Sequence, residues 1–435
     1  MPAEGWLAAR FADTLDRLLS THRPERIGIA VSGGSDSTAL LHLTADWAAE
    51  RGIALRAASV DHGLRPEAAQ EIELVRAQAR GLGVEHAILR WEGWDGTGNL
   101  QDAARRARRR LLWQWARGLD NVLLGHTMDD QAETVLRHLS RGSGVAGLSG
   151  IAECSLLPAP PDLQIEVSGL ERTGDGRSVL GPNLVRPLLG IRRQTLRDWL
   201  TARDIAWSDD PSNEDDRFDR VRVRKALAEG NALGLTVEGL AATATRMRRA
   251  REALTRRMVA AASDTLRVEQ GDVILRREAL LSLEGETLSG LLAGALRWIS
   301  GAEYRPRASA LESAIADLRE GRSSTLHGCH LNVGPRDVRL CREWKAVAGL
   351  RTPFTGDVRW DGRWRITGPE LPAATVQALG DDAKGRDGAP FHSLRARPAL
   401  YVSGRLVAAP GLDETPYAAE VSPPGGGFLT WLERA

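Results

Sequence analysis

The chain has 435 residues, of which 42% are hydrophobic and 26% charged, and its net charge is +1. This length exceeds a single typical core and predicts two or three domains. No apolar run reaches membrane-span length, and residues 1–20 lack the basic segment and apolar core of a signal peptide. The three cysteines, Cys154, Cys329 and Cys341, form no CxxC pair. We therefore expect a reduced cytoplasmic protein without a disulfide frame or zinc site.

A glycine-rich turn follows the first predicted strand. Residues 27–31 form a short apolar run, and apolar residues recur at helical spacing over 39–47. The hexapeptide between them reads Ser32-Gly33-Gly34-Ser35-Asp36-Ser37. Two glycines, hydroxyl groups and a helix N-terminus suit a phosphate or pyrophosphate, although an ordinary helix-capping turn is the alternative. No lysine stands in a GxxxxGK[ST] frame, which excludes a Walker-type ATPase.

Strand and helix signals then alternate. Strands are predicted over 55–61, 86–90 and 121–125, and helices over 68–82, 100–119 and 129–139. Such repeats predict an α/β fold, a parallel twisted sheet with helices on both faces. Because ligands bind at the carboxyl ends of parallel strands, the glycine turn, residues 61–65 and residues 125–126 converge on one edge. The candidate ligand-binding residues are His62 and Arg65 after the strand at 55–61, and His126 after the strand at 121–125.

Acidic residues open the helix predicted over 129–139. Asp129 and Asp130 lie in its first turn, where carboxylates favour the helix dipole. Capping alone does not explain Glu133, one turn beyond Asp130 on roughly the same face. Carboxylate oxygens on one face can hold Mg²⁺ beside phosphates, so these residues are candidate catalytic or metal-binding groups.

Basic residues are concentrated in two segments. Eleven basic residues stand against four acidic ones between Arg217 and Arg257, a stretch that includes Arg220 and Arg224. The second segment is 105–110, in which Arg105 and Arg108 share a helix face that begins near a predicted N-cap at Asn99. Such clusters can follow a phosphate backbone, although a solvated helix face is the alternative.

The remaining sequence divides the chain into three predicted domains. Residues 157–183 are rich in proline and glycine and predict a long loop, and a helix is predicted over 192–203. Residues 217–320 read as mainly helical, whereas short strand signals occur at 358–360, 364–367 and 400–402. We predict a catalytic domain over 1–215, a mainly helical domain over 216–345 whose basic residues suit a phosphate backbone, and a small α+β or β-rich domain over 346–435.

In this order, the motifs SGGSDS, VDHGLR, GHTMDDQAET, RGSGVAGLSGI and VRPLLGIRR resemble a known family. The chain resembles the N-type ATP pyrophosphatases of the PP-loop group, and within them it is similar to the bacterial tRNA(Ile)-lysidine synthetases. The resemblance extends over about residues 25–225. The sequence departs from the family pattern at Arg109, usually aromatic, at Thr127, usually a second histidine, and at Val221, usually asparagine.

The resemblance implies a ligase that uses ATP and Mg²⁺ on isoleucine tRNA with a CAU anticodon and on free L-lysine. The wobble cytidine would be adenylated with loss of pyrophosphate, and the lysine ε-amine would then displace AMP. Residues 32–37 would cradle the pyrophosphate, and Arg65, Arg105 and Arg108 would bind phosphates or the anticodon. Asp36 and Asp130 would hold Mg²⁺ or the amine of lysine. Asp130 or Glu133 would accept the proton that the lysine ammonium group loses. The alternatives are a PP-loop tRNA thiolase, a small-molecule amidotransferase or synthetase, and a catalytically silent tRNA-binding protein.

Overall fold

A computed structural model of the chain describes residues 2–20, 24–63, 68–92, 94, 100–157, 182–208, 219–230, 234–423 and 426–434. Internal contacts group these residues into two units, the first ending at Arg251 and the second beginning at Glu252. The domain boundaries predicted at 215/216 and 345/346 stay predictions.

The first unit alternates strands and helices, as expected. Its strands are β1 (Arg26–Ala30), β2 (Ala54–Asp61), β3 (Glu85–Arg90), β4 (Asn121–Leu124), β5 (Cys154–Leu156) and β6 (Asn183–Val185). Its helices are α1 (Pro2–Leu18), α2 (Ser35–Ala49), α3 (Ala68–Gly81), α4 (Leu100–Trp115), α5 (Met128–Leu139), α6 (Val145–Leu148), α7 (Arg193–Thr201) and α8 (Asp219–Gly230). Helix α9 (Val237–Thr265) begins in this unit.

The described strands of this unit form one sheet in the order β3-β2-β1-β4-β6-β5. All neighbours pair in parallel except β5 with β6. Because side chains alternate along a strand, Ile27 and Ile29 enter the core formed with α1, α2, α3 and α7. Gly28 instead faces Trp115 of α4 on the opposite side. The predicted parallel sheet with helices on both faces is therefore confirmed.

The carboxyl ends of three central strands lie side by side. Ala30, at the end of β1, pairs with Ala58 of β2 and with Leu124 at the end of β4. The glycine turn follows β1 directly, and His126 lies just beyond β4. The topology thus brings the predicted motifs to one edge of the sheet.

The second unit carries antiparallel sheets. Its helices are α10 (Arg277–Leu281), α11 (Gly285–Ser300), α12 (Ala308–Arg319), α13 (Trp344–Val347), α14 (Phe391–Leu394) and α15 (Phe428–Arg434). Its strands are β7 (Leu266–Glu269), β8 (Asp272–Arg276), β9 (Ser324–Leu326), β10 (Cys329–Val333), β11 (Asp337–Arg342), β12 (Thr352–Pro353), β13 (Asp357–Trp360), β14 (Trp364–Thr367), β15 (Ala374–Ala378), β16 (Pro398–Val402), β17 (Arg405–Ala408) and β18 (Ala418–Val421).

The segment predicted as mainly helical also contains a sheet that the prediction did not include. In the described residues, strands β7 to β11 form it in the order β7-β8-β11-β10-β9 around a core with α11 and α12. Strands β12 to β18 form two further sheets, which agree with the predicted β-rich end of the chain. No helix among the described residues is both long and apolar enough to cross a membrane.

Candidate active site

The glycine turn between β1 and α2 is held together by its own serines. Ser37 Oγ accepts a hydrogen bond from the backbone N–H of Ser32 at 3.0 Å and lies 3.1 Å from Ser32 Oγ. Gly33 has a φ of 90°, in the left-handed region that favours glycine, and Gly34 is the N-cap of α2. The chain therefore enters α2 through a tight turn whose hydroxyls and helix N-terminus suit an anionic phosphate.

The residue after β4 lies against this turn. A Cβ atom at Gly125 would stand 3.1 Å from both the Cα and the N of Ser37, and 3.2 Å from the carbonyl carbon of Asp36. The absence of a side chain at Gly125 thus lets the chain pass close to the start of α2. As a result, the residues from His126 onward begin beside the glycine turn.

Three carboxylates converge on one guanidinium group. Arg193 donates from Nε to Asp36 Oδ2 at 2.7 Å and from Nη2 to Asp130 Oδ1 at 3.1 Å. Its Nη1 lies 3.5 Å from Glu133 Oε1, which also accepts from Arg224 Nε at 2.6 Å. The side chains of Arg193 and the three acids are each less than a fifth exposed. The cluster therefore contains three anionic and two cationic groups in a largely desolvated place.

The first turn of α5 fixes the orientation of Asp130. Its Oδ2 accepts hydrogen bonds from the N–H of Thr127 at 2.8 Å and from the Thr127 hydroxyl at 2.9 Å. Its own N–H donates to Thr127 Oγ1 at 3.4 Å, which completes a capping box. One carboxylate oxygen of Asp130 thus caps the helix, and the other accepts a hydrogen bond from Arg193.

Asp129 anchors the helix that carries Arg193. Asp129 Oδ2 accepts a hydrogen bond from the backbone N–H of Arg193 at 2.8 Å, and both carboxylate oxygens lie 3.3–3.4 Å from Arg192 Nε. The two adjacent acids therefore have different partners. Asp129 holds the start of α7, whereas Asp130 belongs to the carboxylate cluster.

The surroundings shift the pKa values of the three acids in different directions. Burial raises the pKa of Asp36, with Arg193 opposing the shift, and burial raises the pKa of Glu133, with Arg224 opposing it. Burial also acts to raise the pKa of Asp130, but the charge of Arg193 and the N–H of Thr127 outweigh it, so this pKa is lowered. On acidification Asp36 and Glu133 therefore take up protons before Asp130 does.

This order predicts a pH effect on amine binding. We expect the KM for an amine substrate to rise as pH falls below neutral, because protonation of Glu133 or Asp36 removes a charge that attracts the ammonium group. Glu133→Gln should flatten this profile. The control Glu238→Gln, at an exposed partner of Arg192, should keep it. A KM that is independent of pH in the unsubstituted protein would contradict the prediction.

Among the other predicted residues, His126 interacts with a member of the cluster. His62 lies after β2 with its ring 5.7 Å from that of Trp91, and burial followed by the charge of Arg108 lowers its pKa. His126 is close enough to Asp130 for its charge to help lower that pKa. Arg105 and Arg108 are exposed on α4. Arg65, Asn99 and the side chain of Arg220 lie outside the described part of the chain, so those assignments stay predictions.

Two arginines of α7 were missed by the sequence reasoning. Arg193 joins the carboxylates, and Arg197 Nε lies 3.3 Å from Ser35 Oγ of the glycine turn. The only sequence signal was their place in or after the motif VRPLLGIRR, which carried no assigned role. Arg224, predicted to contact tRNA, is paired with Glu133 in this structure, and its role toward tRNA stays a prediction.

The predicted metal ligands are engaged by protein donors. Asp36 Oδ1 accepts from Ser35 Oγ at 3.3 Å and Asp36 Oδ2 from Arg193, while both oxygens of Asp130 bind Arg193 or Thr127. The described residues contain no group of three or more His, Cys, Asp or Glu arranged to hold a metal ion. In this arrangement Asp36 and Asp130 fit a nitrogen cation rather than a divalent metal.

The chain is similar to known proteins. The PP-loop domain family matches residues 7–230. A tRNA(Ile)-lysidine synthase of Ruegeria pomeroyi is 44% identical over 90% of this chain and 90% of its own length. One of Hyphomonas neptunium is 36% identical over 78% of this chain and 86% of its own. The solved U34-tRNA thiolase NcsA of Methanococcus maripaludis is 16% identical, with a TM-score of 0.42, over 55% of this chain and 78% of its own.

Proposed function

The chain belongs to the tRNA(Ile)-lysidine synthase family of PP-loop proteins, and we propose which residues carry out each step of the family's reaction. That reaction is the ATP-dependent formation of lysidine in tRNA. The proposed substrates are isoleucine tRNA with a CAU anticodon, ATP and free L-lysine. The proposed compartment is the cytoplasm, in keeping with few and scattered cysteines.

The proposed reaction has two steps. The C2 oxygen of the wobble cytidine attacks the α-phosphate of ATP, and pyrophosphate leaves. The ε-amine of lysine then attacks C2, and the bond from C2 to the adenylate oxygen breaks with release of AMP. A wobble base is single-stranded in its loop, so it can enter a pocket at little cost in base pairing.

The glycine turn is proposed to bind the phosphates that leave. Ser32, Ser35 and Ser37 supply hydroxyl groups, and Gly33 and Gly34 let backbone N–H groups face an anion. Arg197, 3.3 Å from Ser35 Oγ, adds a positive charge beside the turn. Fixed donors aimed at developing negative charge are a large source of transition-state stabilisation.

The carboxylate cluster is proposed to bind the substrate amine. Free lysine is mostly an ammonium ion at neutral pH, because an unperturbed amine has a pKa of about 10.4, and it must lose a proton before it attacks. Asp36, Asp130 and Glu133 can bind the ammonium group, and Asp130 or Glu133 can accept its proton. The convergence of these three acids beside the phosphate-binding turn is the observation that carries the proposal.

Mg²⁺ is part of the proposal as the counter-ion of the ATP phosphates. Asp36 and Asp130, its predicted ligands, do not fit a divalent cation while Arg193 binds them both. We therefore assign no step to a metal ion held by these side chains.

The basic residues around α9 are proposed to hold tRNA through its phosphates, together with Arg65, Arg105, Arg108 and Arg220. Arg246 and Arg249 are exposed on this helix. We expect the logarithm of the tRNA association constant to fall linearly with the logarithm of the salt concentration. Each phosphate contact should contribute ~0.7–0.9 to the steepness of this line. Arg249→Ala should reduce the slope by ~1, whereas the control Arg76→Ala, at a residue paired with Glu73 on α3, should keep it. Binding that is independent of salt would contradict the assignment.

A thiolase activity is disfavoured by the cysteines. Sulfur transfer requires a reactive thiolate or a cluster of cysteine ligands. Cys329 and Cys341 are buried and Cys154 is exposed. Burial raises the pKa of the Cys329 and Cys341 thiols, that of Cys329 to about 12. Partial desolvation by neighbouring atoms and the charge of Glu153 raise the pKa of the Cys154 thiol. Such thiols are poor nucleophiles at neutral pH.

The test supplies purified protein with ATP, Mg²⁺, radiolabelled lysine and an unmodified CAU isoleucine tRNA transcript. We expect label in an acid-precipitable product that resists deacylation. Pyrophosphate release that depends on tRNA, without label in the product, would retain base adenylation but refute lysine as the nucleophile. No release would refute the proposal and favour a small-molecule synthetase.

A further inference from the structure

We propose that the guanidinium group of Arg193 is a displaceable resident cation: it pairs with Asp36, Asp130 and Glu133 until the ammonium group of the amine substrate takes its place. This inference rests on the proposed function, in which the same carboxylates bind lysine. It gives a positioning role to a residue for which the sequence motifs offered none.

The first argument is geometric. The three nitrogens of the guanidinium group each face a different carboxylate, at 2.7 Å for Asp36, 3.1 Å for Asp130 and 3.5 Å for Glu133. An ammonium group carries the same charge and three donors, so it can satisfy the same oxygens. Two like charges in one desolvated place repel each other. An ammonium group at the same position would also overlap the guanidinium group, so binding of the amine there requires Arg193 to leave these oxygens.

The second argument concerns what can move. The main chain at Arg193 is fixed, because its N–H is held by Asp129 and because α7 buries Leu196 and Leu200 completely. The Arg193 side chain is 19% exposed, so it retains a path toward solvent. Displacement therefore requires changes in side-chain torsions only, which are fast compared with turnover.

The third argument is energetic. Buried carboxylates without a counter-charge are strongly destabilising, so a site built to bind an ammonium group needs a cation in the empty protein as well. Arg224 contacts Glu133 alone among the three acids. Within the described part of the chain, Arg193 is the cation that pairs with all three. The need to release Arg193 lowers the net affinity for the amine. Only protein in which Arg193 has left the carboxylates can bind the amine, and the apparent dissociation constant rises as that fraction falls.

The experiment measures lysine incorporation by Arg193→Ala at about pH 8, with and without a few millimolar guanidinium chloride. We expect the KM for lysine to fall about fivefold to tenfold, because no resident cation has to be displaced. Added guanidinium should raise that KM again by filling the vacated place. Loss of a residue with a merely structural role would not produce competition between guanidinium and lysine.

The matched control is Arg192→Ala, which removes the same charge one residue earlier but pairs with Asp129 and Glu238. Its lysine KM should show no response to guanidinium. If Arg193→Ala does not fold, Arg193→Lys serves instead. A single ammonium group holds three carboxylates less well than a guanidinium group, so its lysine KM should fall by about twofold to threefold.

Three results would overturn the inference: an unchanged or higher lysine KM in Arg193→Ala, a guanidinium effect on kcat at constant lysine KM, or a lower Mg²⁺ requirement in place of a lower lysine KM. Failure of the proposed function is distinguishable from these. In that case the unsubstituted protein itself would incorporate no lysine into tRNA.

Discussion

Asp130→Asn is expected to lower the rate of lysine incorporation at least about 100-fold, while tRNA-dependent pyrophosphate release falls much less. The amide keeps the size of the carboxylate and can still accept from the N–H of Thr127. It cannot balance the charge of Arg193 or of an ammonium group, and it cannot take up the amine proton. Measuring both half-reactions on one preparation separates attack by the amine from base adenylation.

Asp129→Asn is the control for this variant because it makes the same change one residue away. Asp129 contacts Arg192 and the start of α7, so its loss should loosen the helix and lower activity only severalfold. Full turnover by Asp130→Asn would remove Asp130 from the amine site. Equal losses in the two variants would indicate that both act through the position of α7.

The architecture of the first unit was predictable because its signals are local. Each central strand is a short apolar run between polar turns, and each following helix has apolar residues at helical spacing. The chirality and spacing of such units leave few arrangements, and all of them bring the carboxyl ends of the strands together. The placement of the glycine turn beside residues 125–126 followed from this rule alone.

The sheet of the second unit was missed because its turns carry weak signals. Gln270-Gly271 and His327-Gly328 each join two strands through two residues with positive φ. Hairpins of this type are usually recognised by Asn-Gly or Asp-Gly, and neither dipeptide occurs at these two turns. The flanking strands are three to five residues long, too short to display a clear alternation.

The site was predictable only in its acidic half. Asp130 and Glu133 share a helix face, and Asp36 lies in the glycine turn, so local reasoning reached all three. Arg193 is 157 positions from Asp36 in the sequence, and only the folded chain brings their side chains together. Thr127 illustrates the same limit: as a departure from the family's histidine it was unexplained, and the structure makes it the N-cap that orients Asp130.

Gly125→Ala is expected to raise the KM for ATP by about tenfold and to cost about 1–3 kcal/mol of stability. The added methyl group would lie 3.1 Å from two backbone atoms of Ser37, which cannot rotate away as a side chain does. The start of α2 must therefore shift by a few tenths of an ångström, and the phosphate-binding turn shifts with it. ATP titrations and thermal unfolding measure the two effects.

Gly144→Ala makes the same substitution where a Cβ atom meets nothing within 4 Å and φ is −80°, so it should leave both quantities close to those of the unsubstituted protein. If Gly125→Ala lost stability but bound ATP normally, the turn would tolerate displacement and its fixed geometry would not control nucleotide binding. If Gly125→Ala lost ATP affinity but kept its stability, the close approach of the chain after β4 to α2 would matter mainly for nucleotide binding. We expect both losses, because one pair of backbone segments supports the sheet edge and the phosphate-binding turn together.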